Sequence, residues 1–421
     1  MNENNEPQRS RGIWNLNFFL LWQGQLASAV GDVVYAIALG FWILAKTGST
    51  ALMGTLMAVS TLPRILAAPF AGVLVDRSDR KWLLVAMDSI RGVFVVLIGV
   101  GAYAGFIQIW MVFAAGIIIG LCGAFFTPAV SSSLPDIVPP DKIVQANSAY
   151  NLIYTGSGIL GNSAGGFLFQ ILGAPLMFLF NGLSYLFSSL TLFFVRIPRI
   201  VHRRGPQHFF ADLKDGLALS WKMRGLRFLL LVVAVLNFFS VMGIFLILPL
   251  FQKTPALGPG RYGIAIACFA IGNLVGYLTS ASVKFVPSCR FGIFMACFAI
   301  MGVSMIIFAL IRIFPLMLGF AGIGGVVNAI LNSFISATVQ MVVPQDMRGK
   351  VFAFLGAISL GLTPIAMALG GLLAGLFPLR PLMAVCFLIV LTFSVPLFFN
   401  IPFRRFINFD PVKDTVESLS S

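Results

Sequence analysis

Long apolar segments dominate this chain of 421 residues. There are twelve, and each is long enough to cross the hydrocarbon core of a bilayer as a helix, which takes about 20 residues. They lack the alternation of membrane β-strands, and lipid offers no partner to open backbone groups. We therefore predict an all-α integral membrane protein with twelve transmembrane helices, at 17–43, 51–75, 82–104, 109–130, 143–172, 175–196, 226–252, 261–284, 290–312, 315–340, 349–376 and 379–401.

Charge supports the membrane assignment and predicts an orientation. Only 10% of the residues are charged, against about 25% in soluble domains. Of the 28 Lys and Arg, 21 fall in the terminal tails and the even-numbered loops. Basic loops remain in the cytoplasm, so we predict cytoplasmic termini in a bacterial plasma membrane. The net charge of +14 is scattered over short loops and predicts no nucleic-acid partner. The odd-numbered loops hold Lys46, Lys253, Arg261, Arg312 and Arg380.

Motifs for catalysis or cofactor binding are missing from the sequence. It contains no P-loop, GxSxG or HExxH pattern, so we predict neither an enzyme nor a self-contained ATP-driven pump. The short polar N-terminus leads into a long apolar run, which predicts an uncleaved first span. The cysteines lie in or beside spans without CxxC spacing, so we expect packing roles and no cofactor or metal. They are Cys122, Cys268, Cys289, Cys297 and Cys386.

The chain repeats itself with an offset of 205 residues. Pro139 then matches Pro344, Asp141 matches Asp346, Gly120 matches Gly325, and the pair Gly165-Gly166 matches Gly370-Gly371. Two parallel six-helix repeats with substrate between them form a known transporter plan. We predict an N-terminal bundle at 1–200, a cytoplasmic linker at 201–225, a C-terminal bundle at 226–402 and a cytoplasmic tail at 403–421. The linker should contain an amphipathic interfacial helix with Phe210, Leu213, Leu217 and Trp221 on its apolar face.

The loop between the second and third spans reads GVLVDRSDRK at 72–81. It resembles the corresponding loop of the major facilitator superfamily, although Asp79 stands where that family usually has glycine. The resemblance implies the major facilitator fold, two pseudo-symmetric six-helix bundles, with this loop as a cytoplasmic latch between them. In the latch Asp76 would face the positive N-terminal end of the eleventh span. An ordinary basic cytoplasmic loop is the alternative. The residues assigned to the latch are Gly72, Asp76, Arg77, Arg80, Lys81, Asp88 and Arg91, and Leu74 also fits the pattern.

The fifth span carries a second, partial match. Its sequence SGILGNSAGG resembles the glycine-rich motif of antiporters in this superfamily, with Ser157 and Asn162 in place of a glycine and a proline. The matching residues are Gly161, Gly165 and Gly166. Close helix packing explains such small residues equally well. The segments FFLLWQGQLASAVGD, LPRILAAPFAGVLVDR and VPQDMRGKVFAF resemble the branch of macrolide efflux proteins and enterobactin exporters, which implies export driven by proton entry.

Four ionisable residues fall well inside predicted spans, namely Asp32, Arg64, Asp88 and Arg91. Such groups are costly in a membrane and are functional candidates by default. Asp32 and Arg64 have matching depths on the first two spans, so they are candidates for coupling protons to substrate. Asp32 would accept the proton and attract a cationic substrate, and its protonation would free Arg64. A permanent structural pair is the alternative.

Polar residues recur at helical spacing on several spans. They are predicted to line a cavity, whereas hydrogen bonding between helices is the competing explanation. The candidates are Gln25, Ser28, Asn147, Asn151, Tyr154, Asn237, Asn328 and Asn332.

These features together predict a secondary active transporter. We expect a monomer in the lipid bilayer that exports a bulky amphipathic molecule, such as a macrolide or a siderophore, by alternating access in exchange for protons. A lysophospholipid flippase or a uniporter of the same fold is the first alternative. A membrane sensor or scaffold without transport is the second.

Overall fold

The computed structural model describes residues 13–197, 224–283, 286–343 and 345–409, and this part of the chain is helical without strands. Its helices follow the predicted apolar segments, as the hydrogen bonding of a backbone in lipid requires. They are α1 (Leu16–Thr47), α2 (Thr50–Arg77), α3 (Arg80–Tyr103), α4 (Ile109–Ile137), α5 (Ile143–Phe194), α6 (Arg224–Phe245), α7 (Ile247–Lys253), α8 (Gly258–Ser282), α9 (Pro287–Leu310), α10 (Phe314–Val342), α11 (Gln345–Leu376), α12 (Leu379–Phe398) and α13 (Ile401–Ile407).

A backbone break divides the long helix α5 into two limbs. Gly173 has φ 70° and ψ 170°, a conformation that favours glycine, and Pro175 follows it. The first limb, 143–172, and the second limb, 174–194, therefore cross separately. Eleven helical segments in the described residues are long and apolar enough to span a membrane, and α5 is one of them. Counting both limbs gives the twelve predicted crossings.

Short polar residues begin several of the helices. Asp79 is the N-cap of α3, and its carboxylate accepts a hydrogen bond of 3.4 Å from the backbone N–H of Trp82. Asn15 accepts one of 3.0 Å from Phe18 at the start of α1. Asparagine and aspartate stabilise free N–H groups at helix starts in this way. The residue at which the 72–81 loop departs from its family pattern thus has a local structural role.

Packing divides the described residues into two units. Unit 1 contains 13–39, 63–165 and 172–197, and unit 2 contains 40–62, 166–171 and the described residues from 224 onward. Each unit has its own apolar core, with Phe18, Leu84 and Phe126 in unit 1 and Phe294 and Phe403 in unit 2. The division differs from the predicted repeat boundary because the ends of α1, α2 and the first limb pack within unit 2.

The predicted tail begins as ordered structure. Helix α13 buries Phe403, Phe406 and Ile407 completely, and Asn408 accepts a hydrogen bond of 2.8 Å from the backbone of Phe291. The cytoplasmic tail at 403–421 stays a prediction, and its residues up to Phe409 are ordered and packed. Its apolar residues, spaced for one helical face, explain the packing. The predicted interfacial helix of the linker lies outside the described residues.

Candidate functional site

A buried ion pair on α3 lies inside unit 1. Asp88 is fully buried and Arg91 is 6% exposed, and their side chains form a salt bridge. Ser188 of the second limb donates a hydrogen bond of 2.7 Å to the other carboxylate oxygen of Asp88. Gln25 of α1 donates one of 3.1 Å to the Ser188 hydroxyl. Buried charges persist when they are paired and hydrogen-bonded, so this polar network joins α1, α3 and the second limb.

Two aromatic rings hold the guanidinium of Arg91. Its central carbon lies 4.3 Å from the ring centroid of Phe126 and 4.4 Å from that of Tyr185. A desolvated cation over aromatic faces gains electrostatic stabilisation. The Tyr185 hydroxyl also donates a hydrogen bond to Asp32 of α1. Tyr185 therefore links the carboxylate of Asp32 to the Asp88–Arg91 pair.

Asp32 and Arg64 do not form a salt bridge within the described part of the chain. Asp32 is half-buried and accepts the hydrogen bond from Tyr185. The exposed side chain of Arg64 donates instead to the hydroxyl of Thr127 on α4, at 3.3 Å. The sequence allowed a permanent Asp32–Arg64 pair as an alternative. The structure differs from it, since Asp32 bonds to Tyr185 and Arg64 bonds to Thr127.

The latch residues fall into different environments. Arg80 forms a salt bridge of 2.7 Å with Asp136 at the end of α4, and Lys81 lies 5.5 Å from the ring centroid of Phe193. Asp88 and Arg91 pair with each other inside unit 1, so their assignment to the latch is corrected.

The remaining latch residues stay predictions. Arg77 is exposed, whereas the surroundings of Gly72 and the side chain of Asp76 lie outside the described structure.

The glycines of the first limb allow close packing. A Cβ on Gly161 would lie 2.8 Å from the Cβ of Val33, and one on Gly165 would collide with Ile37, both on α1. With alanine or a larger residue at either position, the first limb could not approach α1 as closely. This is the packing role that the sequence offered as one explanation of the motif.

Two further glycine contacts join helices of both repeats within unit 2. A Cβ on Gly371 of α11 would lie 2.9 Å from the Cα of Gly54 on α2, and one on Gly166 would lie 2.8 Å from the backbone nitrogen of Gly263 on α8. Beside them the ring of Phe41 stacks on Phe169, with centroids 4.9 Å apart. We call the Gly54–Gly371 and Gly166–Gly263 contacts the glycine seal. It lies toward the ends of these helices that lead into odd-numbered loops.

The predicted cavity residues separate into buried and exposed groups. Gln25 and Ser28 are 3% and 4% exposed, so their assignment to a cavity wall is corrected. Gln25 bonds to Ser188, and the Ser28 hydroxyl bonds to the backbone of Gln25. Asn147, Asn151 and Tyr154 are exposed on the first limb. A role of these three in a cavity stays a prediction.

The candidates of the C-terminal repeat include a polar group without a partner. Asn328 donates a hydrogen bond of 2.9 Å to Asn273, and the exposed Asn332 donates one of 2.9 Å to the backbone of Asn328. The side-chain oxygen of Asn237 on α6 is buried and unpartnered in the described structure. Buried polar groups without a partner are uncommon in folded proteins.

Sequence reasoning missed the second limb as a source of functional side chains. Tyr185 and Ser188 connect Asp32, Arg91 and Asp88. Their spacing of three residues, one helical turn apart, was visible in the sequence. Asp136 and Thr127 lack such a pattern, and only their contacts with Arg80 and Arg64 identify them.

The sequence is similar to that of several bacterial proteins. Residues 13–412 match a family described as transmembrane secretion effector. Macrolide efflux protein A of Streptococcus pyogenes is 26% identical over 392 residues, which cover 86% of this chain and 90% of that protein. Multidrug efflux pump Tap of Mycolicibacterium fortuitum is 25% identical over 365 residues, with 83% and 87% covered.

Solved structures share the fold at low sequence identity. The POT family transporter PepTSo superposes with a TM-score of 0.67 at 10% identity, covering 91% of this chain and 97% of that one. A bacterial homologue of the lysosomal transporter Spinster, in an inward-facing and unoccupied conformation, has a TM-score of 0.63 at 16% identity, covering 94% and 97%. These similarities extend over nearly the whole chain.

Proposed function

Because the chain belongs to the transmembrane secretion effector family of major facilitator superfamily transporters, we propose that it exports amphipathic small molecules from the bacterial cytoplasm in exchange for protons. The observation that carries this proposal is the half-buried carboxylate of Asp32 within α1, hydrogen-bonded by Tyr185 and free of an arginine salt bridge in the described residues. A carboxylate inside a transporter is suited to carry protons.

Asp32 would take up the proton, while Asp88 would serve the structure. Asp88 has no exposed surface, and its charge is already balanced by Arg91. Asp32 has exposed surface through which a proton can arrive. Tyr185 contacts both Asp32 and Arg91. A change of charge at Asp32 would therefore alter the electrostatic environment of the Asp88–Arg91 pair, and it could move the second limb.

The basic loops favour an orientation with both termini in the cytoplasm. In that orientation the glycine seal closes the pathway on the external side. Opening and resealing it would constitute one half of an alternating-access cycle. Glycine suits this role because its backbone surfaces can meet and part without interlocking side chains.

Replacing Gly371 by alanine is expected to open the glycine seal. The new Cβ would lie 2.5 Å from the carbonyl oxygen of Thr50, and overpacking of this kind costs about 1–3 kcal/mol. Ala58→Cys in a cysteine-free background serves as reporter, since Ala58 is buried one turn beyond Gly54. We expect its labelling by an external impermeant maleimide to accelerate about tenfold.

The matched control for this experiment is Gly361→Ala on the same helix. A Cβ at Gly361 would meet nothing within 4 Å, so its reporter should react at the parental rate. Equal rates for the Gly371 and Gly361 variants would show that the glycine contact does not hold the external side shut.

The relatives and the exposed polar residues support the proposed substrate class. The two relatives are named for efflux of macrolides and of multiple drugs. Asn147 and Asn151 offer exposed amide groups on the otherwise apolar first limb. Ligand pockets that combine apolar walls with a few polar groups suit bulky amphipathic molecules.

Drug accumulation in intact cells tests the function directly. We expect cells that produce the protein to retain less radiolabelled erythromycin than cells without it, and a protonophore should remove the difference. Siderophores and lysophospholipids, assayed in parallel, would identify a different substrate. Retention that differs between the strains but ignores the protonophore would support a uniporter and contradict proton exchange.

A further inference from the structure

A pocket of about 190 Å³ lies in unit 2, between the final turns of α8 and α10 and the first turn of α9. Its lining includes Ser280, Arg290, Ser333, Thr338 and Met341. The loop between α8 and α9 is even-numbered, so the pocket lies on the cytoplasmic side in the proposed orientation. It belongs neither to the Asp32 network nor to the glycine seal.

Two hydroxyl groups at this pocket have no hydrogen-bond partner among the described residues. Thr338 is 1% exposed, and its Oγ1 is buried without a partner in the described structure. The Oγ of Ser280 is likewise buried and has no partner within the described ranges. Leaving a buried polar group unsatisfied costs about 1–3 kcal/mol. Each hydroxyl carries one O–H donor, so the pair is ready to bind an acceptor.

Arg290 adds a positive charge to the same pocket. Its Nη1 donates a hydrogen bond of 2.9 Å to the backbone oxygen of Phe409 and lies 3.9 Å from the sulfur of Met341. Neither partner carries a negative charge. Among the described residues no carboxylate forms a salt bridge with Arg290.

A comparison of the two repeats shows which negative charge is missing near Arg290. In the N-terminal repeat, Arg80 in the first turn of α3 pairs with Asp136 at the end of α4, at 2.7 Å. In the C-terminal repeat, Arg290 in the first turn of α9 reaches the end of α10. The offset that aligns Pro139 with Pro344 aligns Asp136 with Met341. The same offset places Phe285 opposite Arg80. The cation at this position is therefore supplied by Arg290, five residues later, and it meets a thioether where Arg80 meets a carboxylate.

We propose that this pocket binds a phosphate group, which supplies the negative charge that Met341 does not. Phosphate oxygens accept hydrogen bonds from a guanidinium and from hydroxyls, and the planar fork of arginine suits them. One water molecule takes up about 30 Å³ of liquid, so the pocket has room for a phosphate with a few waters. The source is an anionic lipid headgroup or free cytosolic phosphate, two ligands with the same recognised chemistry.

Thermal unfolding of the purified full-length protein in detergent tests the site. Dioctanoyl phosphatidylglycerol, inorganic phosphate and dioctanoylglycerol are titrated separately at constant ionic strength, and Kd is obtained from the rise in Tm. We expect Arg290→Gln and Thr338→Val to weaken phosphate-group binding about tenfold or more, the value of one charge-assisted hydrogen bond. Dioctanoylglycerol, which lacks the phosphate, should produce no saturable rise.

Met341→Asp separates the site from a general loss of stability. It restores the carboxylate of the N-terminal repeat, so it should raise Tm without ligand and weaken phosphate-group binding about tenfold. Arg405→Gln removes an exposed charge near the same end of unit 2 and should keep the original Kd. Binding of the lipid alone assigns the site to a headgroup, and equal binding of inorganic phosphate assigns it to the free anion. Absence of binding, or one Kd for all variants, overturns the proposal.

Discussion

Asparagine in place of Asp32 is expected to uncouple export from the proton gradient. The amide cannot take up a proton, yet it can still accept the hydrogen bond from Tyr185. Uptake of labelled erythromycin into inside-out vesicles, driven by a pH gradient, should fall about tenfold or more, which corresponds to at least about 1.4 kcal/mol of lost coupling. Exchange of erythromycin across the membrane without a gradient should continue, because the substrate pathway is intact.

Asp141→Asn is the matched control for the Asp32 experiment. It makes the same chemical change at a carboxylate whose side chain is 69% exposed on the turn before α5, so coupling should be unchanged. Full proton coupling in the Asp32 variant would remove this residue from the mechanism. Loss of gradient-free exchange would point to a folding or binding defect.

Asparagine in place of Asp88 is expected to cause the largest loss of stability. Arg91 would keep its charge between Phe126 and Tyr185 without the carboxylate that balances it. Removing one partner of a buried ion pair costs about 3–5 kcal/mol. Reversible unfolding in mixed SDS and dodecyl maltoside micelles, followed by near-UV circular dichroism, measures the change in free energy of unfolding.

The double variant Asp88→Asn with Arg91→Gln distinguishes charge imbalance from lost packing. With both charges removed, no uncompensated ion remains, so we expect at least half of the lost stability to return. Asp141→Asn, which breaks an exposed pair with Lys142 at 3.6 Å, should cost no more than about 1 kcal/mol. A double variant as unstable as the sum of the two single variants would mean that shape and hydrogen bonding hold this region together.

The assignment of charges illustrates where prediction from the sequence stopped. The sequence identified all four ionisable residues inside spans, since a charge among apolar residues is conspicuous. It placed Asp32 with Arg64 from their depths, and Asp88 and Arg91 with the loop from their position near it. In the structure Arg64 contacts Thr127, and Asp88 and Arg91 pair with each other. Depth along a helix leaves open which neighbouring helix a side chain faces.

The sequence by itself determined the twelve crossings, the repeat and the family resemblance. Each of these depends on local composition or spacing. In a bilayer, an apolar segment of sufficient length forms a helix, because lipid offers the backbone no other hydrogen-bond partner. Only the tertiary structure decided that Tyr185 joins Asp32 to Arg91, that Gly54 meets Gly371, and that Arg290 contacts Met341. These contacts join residues far apart in the chain, and their geometry depends on how whole helices pack, which no single segment specifies.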